Sequence, residues 1–302
     1  MSVPGLLRRG ASIALAASLA GATWAPSFAA GARAGVRVGK YTSARRAFST
    51  NSFWVEGDEG LVLIDTQFLP SDAVKFAETA QRETGKPVKL AVVLHPNPDK
   101  FNGVASLQAR GIRVVTSRQV SEIIAPIHAV RMAWYEDDFK PDYPRDTPKP
   151  EVFGERTTEL SAAGLKLKLH VLGGPGCSNA HVVAQVDDDL FVGDLIAPKG
   201  HAWLEFALFN DWLKRLDELA ALKPVRIHVG RGESGDASLI DAQRRYLQTV
   251  RTLVQEAQPE GELGMLQRWR LKSKITAAFP DYDWDAFVWE SLPAVWRKLA
   301  VR

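Results

Sequence analysis

Val92-Val93-Leu94-His95-Pro96-Asn97-Pro98-Asp99-Lys100-Phe101-Asn102-Gly103 is the stretch on which the fold turns. Three apolar residues carry the backbone out of a buried strand into a short polar loop, and Phe101-Asn102-Gly103-Val104-Ala105 opens a helix. Before it, Gly85-Lys86-Pro87 ends a helix that begins at Pro70-Ser71-Asp72 and shows Ala73, Phe76, Ala77 and Ala80 at helical spacing. After it, the helix from Phe101 to Ala109 gives way to the strand Ile112-Arg113-Val114-Val115. Strand and helix alternate here, which is an α/β layered pattern.

Further out, Val36 to Tyr41 reads as a first strand, and Asn51 to Glu56 pairs with Gly60 to Thr66 across the acidic turn Gly57-Asp58-Glu59. The second of that pair is apolar enough to be buried on both faces. Residues 118–134 read as a helix, followed over 135–150 by a polar loop with four prolines, a kind of segment that often forms a lid or a surface excursion. Strict alternation from Leu165 to Leu172 puts His170 on the solvent side with Lys166 and Lys168. Gly173-Gly174-Pro175-Gly176-Cys177-Ser178 is a tight loop before the strands Val182 to Val186 and Leu190 to Ile196. The turn between them, Asp187-Asp188-Asp189, lacks the spaced ligands of a calcium loop and reads as solvated. Helices over 205–222 and 237–258 flank a strand, Val225 to Val229, that ends in Gly230-Arg231-Gly232. The tail from Gly261 to Arg302 is helical, and Trp269, Trp284, Trp289 and Trp296 give it the apolar area to dock on a core.

Five landmarks in this order resemble the metallo-β-lactamase superfamily. They are the opening hairpin with Asp65, the loop from His95 to Gly103, the loop from Gly174 to Ser178, Gly193-Asp194-Leu195, and Gly230-Arg231-Gly232. The resemblance implies a four-layer αββα sandwich, here with a helical C-terminal extension. It also implies that Asp65 supports the metal-binding loop without being a ligand. In the family the loop reads His-x-His-x-Asp-His, and of those positions only His95 and Asp99 match, with Asn97 and Lys100 in place of histidines. Cys177 and Arg231 likewise stand where the family has metal histidines, while His181 falls where many members have a histidine that is not a ligand.

The donor chemistry leaves two readings open. One imidazole, one thiolate and one carboxylate, from His95, Cys177 and Asp194, are a donor set for a single zinc ion. The second metal position keeps Asp99 and Asp194 but has gained Lys100 and Arg231, and a protonated guanidinium or ammonium does not ligate a cation. Those four residues sum to two negative and two positive charges, so an ion-pair network can stand in for the ion. No cofactor is favoured on this count, with one zinc as the alternative. Asp99 and Cys177 are the candidate catalytic residues, since neighbouring Lys100 and Arg231 favour a Cys177 thiolate. His201 is placed on a loop that lines the cleft together with Asn97, Lys100, Asp194 and Arg231.

At 302 residues, with 46% hydrophobic and 24% charged side chains, the chain has globular composition. Arg8-Arg9, the apolar run from Ala11 to Ala20 and the small residues around Ala29-Ala30 read as a signal peptide over 1–30. That segment implies a periplasmic or secreted protein and leaves no stable membrane span. A sandwich domain over 31–258 and a tail over 259–302 packed on it complete the organisation. The formal charge of +3 falls by two when Arg8 and Arg9 leave, and no basic run remains to attract nucleic acid. With Cys177 as the lone cysteine, an intramolecular disulfide is excluded. The expectation is an exported protein that has lost the two-metal centre and binds a small molecule in the old cleft. The alternatives are a one-zinc hydrolase of an ester, amide or phosphoester, and an interaction module using the Trp-rich tail.

Overall fold

A computed structural model describes residues 35–300. The signal peptide assigned to residues 1–30 lies outside the described residues. Six strands, β1 (Arg37–Thr42), β2 (Asn51–Gly57), β3 (Gly60–Ile64), β4 (Val88–Val92), β5 (Arg113–Ser117) and β6 (Glu151–Gly154), form one sheet in sequence order. Its first half is an antiparallel meander and its second half, from β3 to β6, is parallel. The crossovers are α1 (Pro70–Thr84) between β3 and β4, the two short helices α2 (Pro98–Phe101) and α3 (Val104–Gln108) between β4 and β5, and α4 (Arg118–Phe139) before β6.

The second sheet contains β7 (Thr158–Ala162), β8 (Leu165–Val171), β9 (Val182–Val186), β10 (Asp189–Gly193) and β11 (Arg226–Val229), ordered β11-β10-β9-β8-β7. Phe53 of β2 and Phe191 of β10 meet at 5.6 Å, and both belong to the core that also takes Leu167, Leu169 and Val182. Mixed sheets packed face to face with helices outside are the expected α/β sandwich. Helix α5 (Phe209–Ala221) links β10 to β11, and α6 (Ser238–Glu256) follows β11. The tail forms two helices, α7 (Met265–Ala278) and α8 (Asp285–Leu299). Leu271, Ile275, Leu292, Val295 and Trp296 from it share a second core with Trp212, Leu216 and Tyr246, so burial of apolar area docks the extension.

Several details differ from the sequence reading. The helix expected over 101–109 is broken at Gly103, where a Cβ would stand 2.0 Å from the Thr66 carbonyl oxygen, and the chain takes two short helices in its place. Helix α4 runs past 134 to Phe139, and what remains of the expected lid is fastened down. Tyr143 is buried beside Phe68, and Asp142 accepts hydrogen bonds from the Ser71 backbone N–H and hydroxyl. His170 is buried, with its Nε2 2.8 Å from the Gln185 side chain of the paired strand β9. The aspartate turn is not solvated throughout. Asp189 is fully buried and bonds Arg226 at 2.5 and 2.7 Å and His228 at 2.7 Å, which compensates the buried carboxylate.

Candidate functional site

Strands β4, β10 and β11 and the loop between β8 and β9 all deliver chain to one end of the sandwich. Asp65, just after β3, has φ 64° and accepts the Leu94 backbone N–H at 2.9 Å, so it braces the β4 loop from behind. Burial pushes its carboxyl up to about 8. His95 follows Leu94 and is wholly buried. Its ring presses on Gly193, where a Cβ would come within 2.8 Å of His95 Cδ2, so glycine is what lets the two loops close. The backbone N–H of Asp194 approaches His95 Nε2 at 3.4 Å, and burial lowers the imidazole to about 4, leaving it neutral near pH 7.

Asp99 and Lys100 sit on α2, whose Pro98 occupies the first turn where no N–H is required. Both side chains are buried. Lys100 Nζ lies 2.9 Å from Asp99 Oδ2 and 3.0 Å from Asp194 Oδ1, as charge contacts rather than aligned hydrogen bonds. From the far side Arg231 spreads its fork over the same pair, Nη1 to Asp194 Oδ2 at 2.5 Å and Nη2 to Asp99 Oδ2 at 2.6 Å, while Nε donates to the Phe48 carbonyl. Against burial, which by itself raises a carboxyl, Arg231 and then Lys100 hold both aspartates below the usual range. Burial opposes the charge on each cation too, but Asp194 and then Asp99 outweigh it and keep Lys100 and Arg231 protonated. Gly230 is required at this corner. A Cβ there would lie 2.2 Å from Asp194 Oδ1 and 2.6 Å from Lys100 Nζ. Asn51 secures the loop by donating to the carbonyls of Val229 and Gly232.

Beside this cluster, Cys177 and His181 arrive from the β8–β9 loop. Donor atoms of His95, Cys177 and His181 all lie within 4.8 Å of one another, and all three residues are buried. His181 faces into its own loop, with Nε2 3.0 Å from the Ser178 carbonyl oxygen and 3.2 Å from the Ser178 N. Against the thiolate expectation, burial, and after it the Asp194 carboxylate, pushes the Cys177 thiol up well above its ordinary value. Sequence reasoning set His181 aside as a non-ligand and named Asp194 in its place. Only the loop's path shows that the histidine four residues after Cys177 turns back toward it.

A cleft of about 230 Å³ opens over both groups. Its lining includes Asn97, Cys177, Asp194, His201 and Arg231, and also Trp203 with Asp283, Trp284 and Phe287, whereas Lys100, placed on the cleft by the sequence, is wholly buried and is not part of that lining. The last three come from the tail. Asp283 fixes them in place by donating its backbone N–H to Lys199 and accepting that of His201, and the Trp284 and Phe287 rings stack at 5.1 Å. His201 is buried rather than exposed. Its Nδ1 lies 3.3 Å from the Tyr246 hydroxyl, within an aromatic group that includes Phe279 and Tyr282. Trp296 is buried and Trp284 packs on the cleft, whereas Trp269 is 60% exposed.

A family model described as the metallo-beta-lactamase superfamily matches residues 45–231. The chain belongs to the metallo-β-lactamase superfamily. Among solved structures it is similar to a metallo-β-lactamase from Pontibacter korlensis, with 21% identity and a TM-score of 0.55 over 71% of this chain and 95% of that one. It is similar also to TMB-1 (18% identity, TM-score 0.54, 71% and 94% covered) and to the DIM-1 metallo-β-lactamase (16%, 0.56, 71% and 98%). At these identities the likeness concerns the fold. No curated protein matches the chain. The matched region stops at Arg231, so the tail that walls the cleft lies outside it.

Proposed function

We propose that this member of the superfamily has given up two-metal hydrolysis and binds a small molecule in the cleft between the sandwich loops and the C-terminal tail. One observation carries the reading: the ammonium of Lys100 and the guanidinium of Arg231 both bridge Asp99 and Asp194. With two cations already seated between the carboxylates, a divalent ion there would displace paired charges and face two positive groups, each repelling it by several kcal/mol at an effective dielectric of about 20. The residues present therefore do not fit a second metal. Asn97 above the cluster and the Trp203, Trp284 and Phe287 rings supply a polar floor and an aromatic wall, the usual make-up of a small-molecule pocket. The order of basic, apolar and small residues over 1–30 supports a periplasmic or secreted site of action.

A one-zinc hydrolase is the second reading, favoured by the three donors of His95, Cys177 and His181. A bound ion would supply a Lewis acid and an activated water. Asp99, the proton acceptor that reading needs, is already committed to Arg231 and Lys100. Its lowered pKa makes it a weak base near neutrality.

Dialysis of the full chain against excess zinc, followed by elemental analysis, tests the main reading. At most one ion per chain is expected. Two ions per chain, accompanied by hydrolysis of reporter esters, would overturn it.

A further inference from the structure

His95, Cys177 and His181 lie beside the ion-pair cluster, and His95 reaches it only through long contacts with Asp194. We propose that these three residues form a mononuclear site for one thiophilic d10 ion, Zn(II) or Cu(I), with His181 supplying the donor that Asn97 does not. The site adjoins the cleft, which Cys177 also lines, but the inference does not rest on which small molecule the cleft binds.

Four observations converge on it. The donors are two imidazoles and a sulfur within 4.8 Å of one another, and contraction by about 1.5 Å or less reaches the spacing set by metal–nitrogen and metal–sulfur bonds of roughly 2.0 and 2.3 Å. His95 is 0% exposed and its Nδ1 has no hydrogen-bond partner, while Nε2 meets only long contacts with Asp194, 3.4 Å to the backbone N–H and 3.8 Å to Oδ2, so a buried ring is left under-satisfied. Asp194, which completes a three-donor set on sequence grounds, has Oδ1 on Lys100 and Oδ2 on Arg231 and is not free to ligate. The neighbouring cluster of two acids and two bases is neutral in sum, so an ion at the trio does not face uncompensated positive charge.

The chemistry of the set selects the ion. Two imidazoles with one thiolate suit zinc and monovalent copper, and the sulfur disfavours magnesium, calcium and manganese. Binding breaks the Cys177 S–H bond, forms a metal–sulfur bond and delivers one proton to the buffer. The site charge becomes +1 with Zn(II) and zero with Cu(I). Removal of one ligand should weaken binding by on the order of 100-fold or more, since loss of outer hydrogen-bond partners alone weakens metal sites about 10–100-fold.

The full chain, stripped with chelator and kept reduced, is titrated anaerobically with Zn(II) in one arm and Cu(I) in the other, each against a competing chromophoric chelator. We expect one ion per chain, one proton released per ion, and an X-ray absorption spectrum with two nitrogen neighbours and one sulfur neighbour. His181→Ala and Cys177→Ala should each weaken binding on the order of 100-fold, whereas Asn97→Ala should leave it within about threefold. Binding in either arm with that signature supports the site, and the arm identifies the ion. No stoichiometric binding in either arm overturns it. So does a spectrum without sulfur, which wild-type protein alone reveals even if a variant fails to fold. Retention in His181→Ala with loss in Asn97→Ala also overturns it. Two ions per chain, one of them with this sulfur signature, would support the site and overturn instead the loss of the two-metal centre.

Discussion

Two corners of one cleft handle burial in opposite ways. In the first, Asp99, Asp194, Lys100 and Arg231 are all buried or nearly so, and each charge is cancelled by another carried on the chain. In the second, His95, Cys177 and His181 are buried without any charge partner among themselves, His95 Nδ1 has no hydrogen-bond partner, and His181 Nε2 bonds back to its own loop at Ser178. The first is closed and self-compensated, and its parts are costly to remove. The second is under-bonded, so its parts contribute less to stability than their burial suggests. The contrast teaches that retention of a polar residue in a buried site has two separate causes, compensation of a neighbour and readiness for a ligand. Mutations separate them.

The largest effect should come from Arg231→Ala. It leaves two buried carboxylates with Lys100 alone, and breaking a buried charged network from one side costs about 3–5 kcal/mol. Chemical denaturation of the wild type and variant measures it. A loss below about 1 kcal/mol would mean that water already screens the cluster.

Acid should open the two corners in sequence. His95 has a folded pKa of about 4 against an ordinary value of 6.5, so the folded state binds fewer protons across that window. Its contribution is therefore present above pH 6.5 and lost as the pH falls toward 4, by about 3 kcal/mol at most. Asp99 and Asp194 are held below the ordinary carboxylate range, so their contribution is lost only beneath about pH 4. Asp65, raised to about 8, slopes the other way between pH 4 and 8, and for that reason the His95 step is read as the difference between the wild type and His95→Gln. Identical profiles in the two proteins would remove the distinction between the corners.

Gly230→Ala should act on the first corner alone. The added methyl meets Asp194 Oδ1 and Lys100 Nζ, and forcing them apart should cost about 1–3 kcal/mol in denaturation midpoint. Gly200→Ala, where the nearest atom would be 3.5 Å away, is the matched control and should be tolerated.

The unequal legibility of the corners in sequence has a physical basis. Alternating strands and helices around His95 and the order of five loops were enough for the sandwich, because periodicity is local. The closed corner was legible as well, since Lys100 and Arg231 bring positive charge to positions adjacent in sequence to Asp99 and to Gly230, and charge can be counted without coordinates. The open corner was not. Whether His181 or Asp194 faces His95 depends on the path of the loop after Gly176, and the ionisation of Cys177 depends on burial, which outweighed the nearby cations. Trp284 was read with the other tail tryptophans as apolar area for docking and Phe287 was not singled out; their place on the cleft wall follows from long-range contacts of Asp283 that leave no local signature.

Cys177→Ala should have the smallest effect. The thiol is buried and neutral, and among the described residues no hydrogen bond to it supports the fold, so the variant loses only the contacts of one sulfur, about 1 kcal/mol. A small loss beside the large one for Arg231→Ala would show that two buried polar groups lining the same cleft differ in what they do for the fold. A large loss, about 3 kcal/mol or more, would place Cys177 with the compensating residues and erase the contrast. The same variant measured after loading with metal gives a further check. If a ligand stabilises the open corner by mass action, the wild type should gain denaturation midpoint on loading and Cys177→Ala should not.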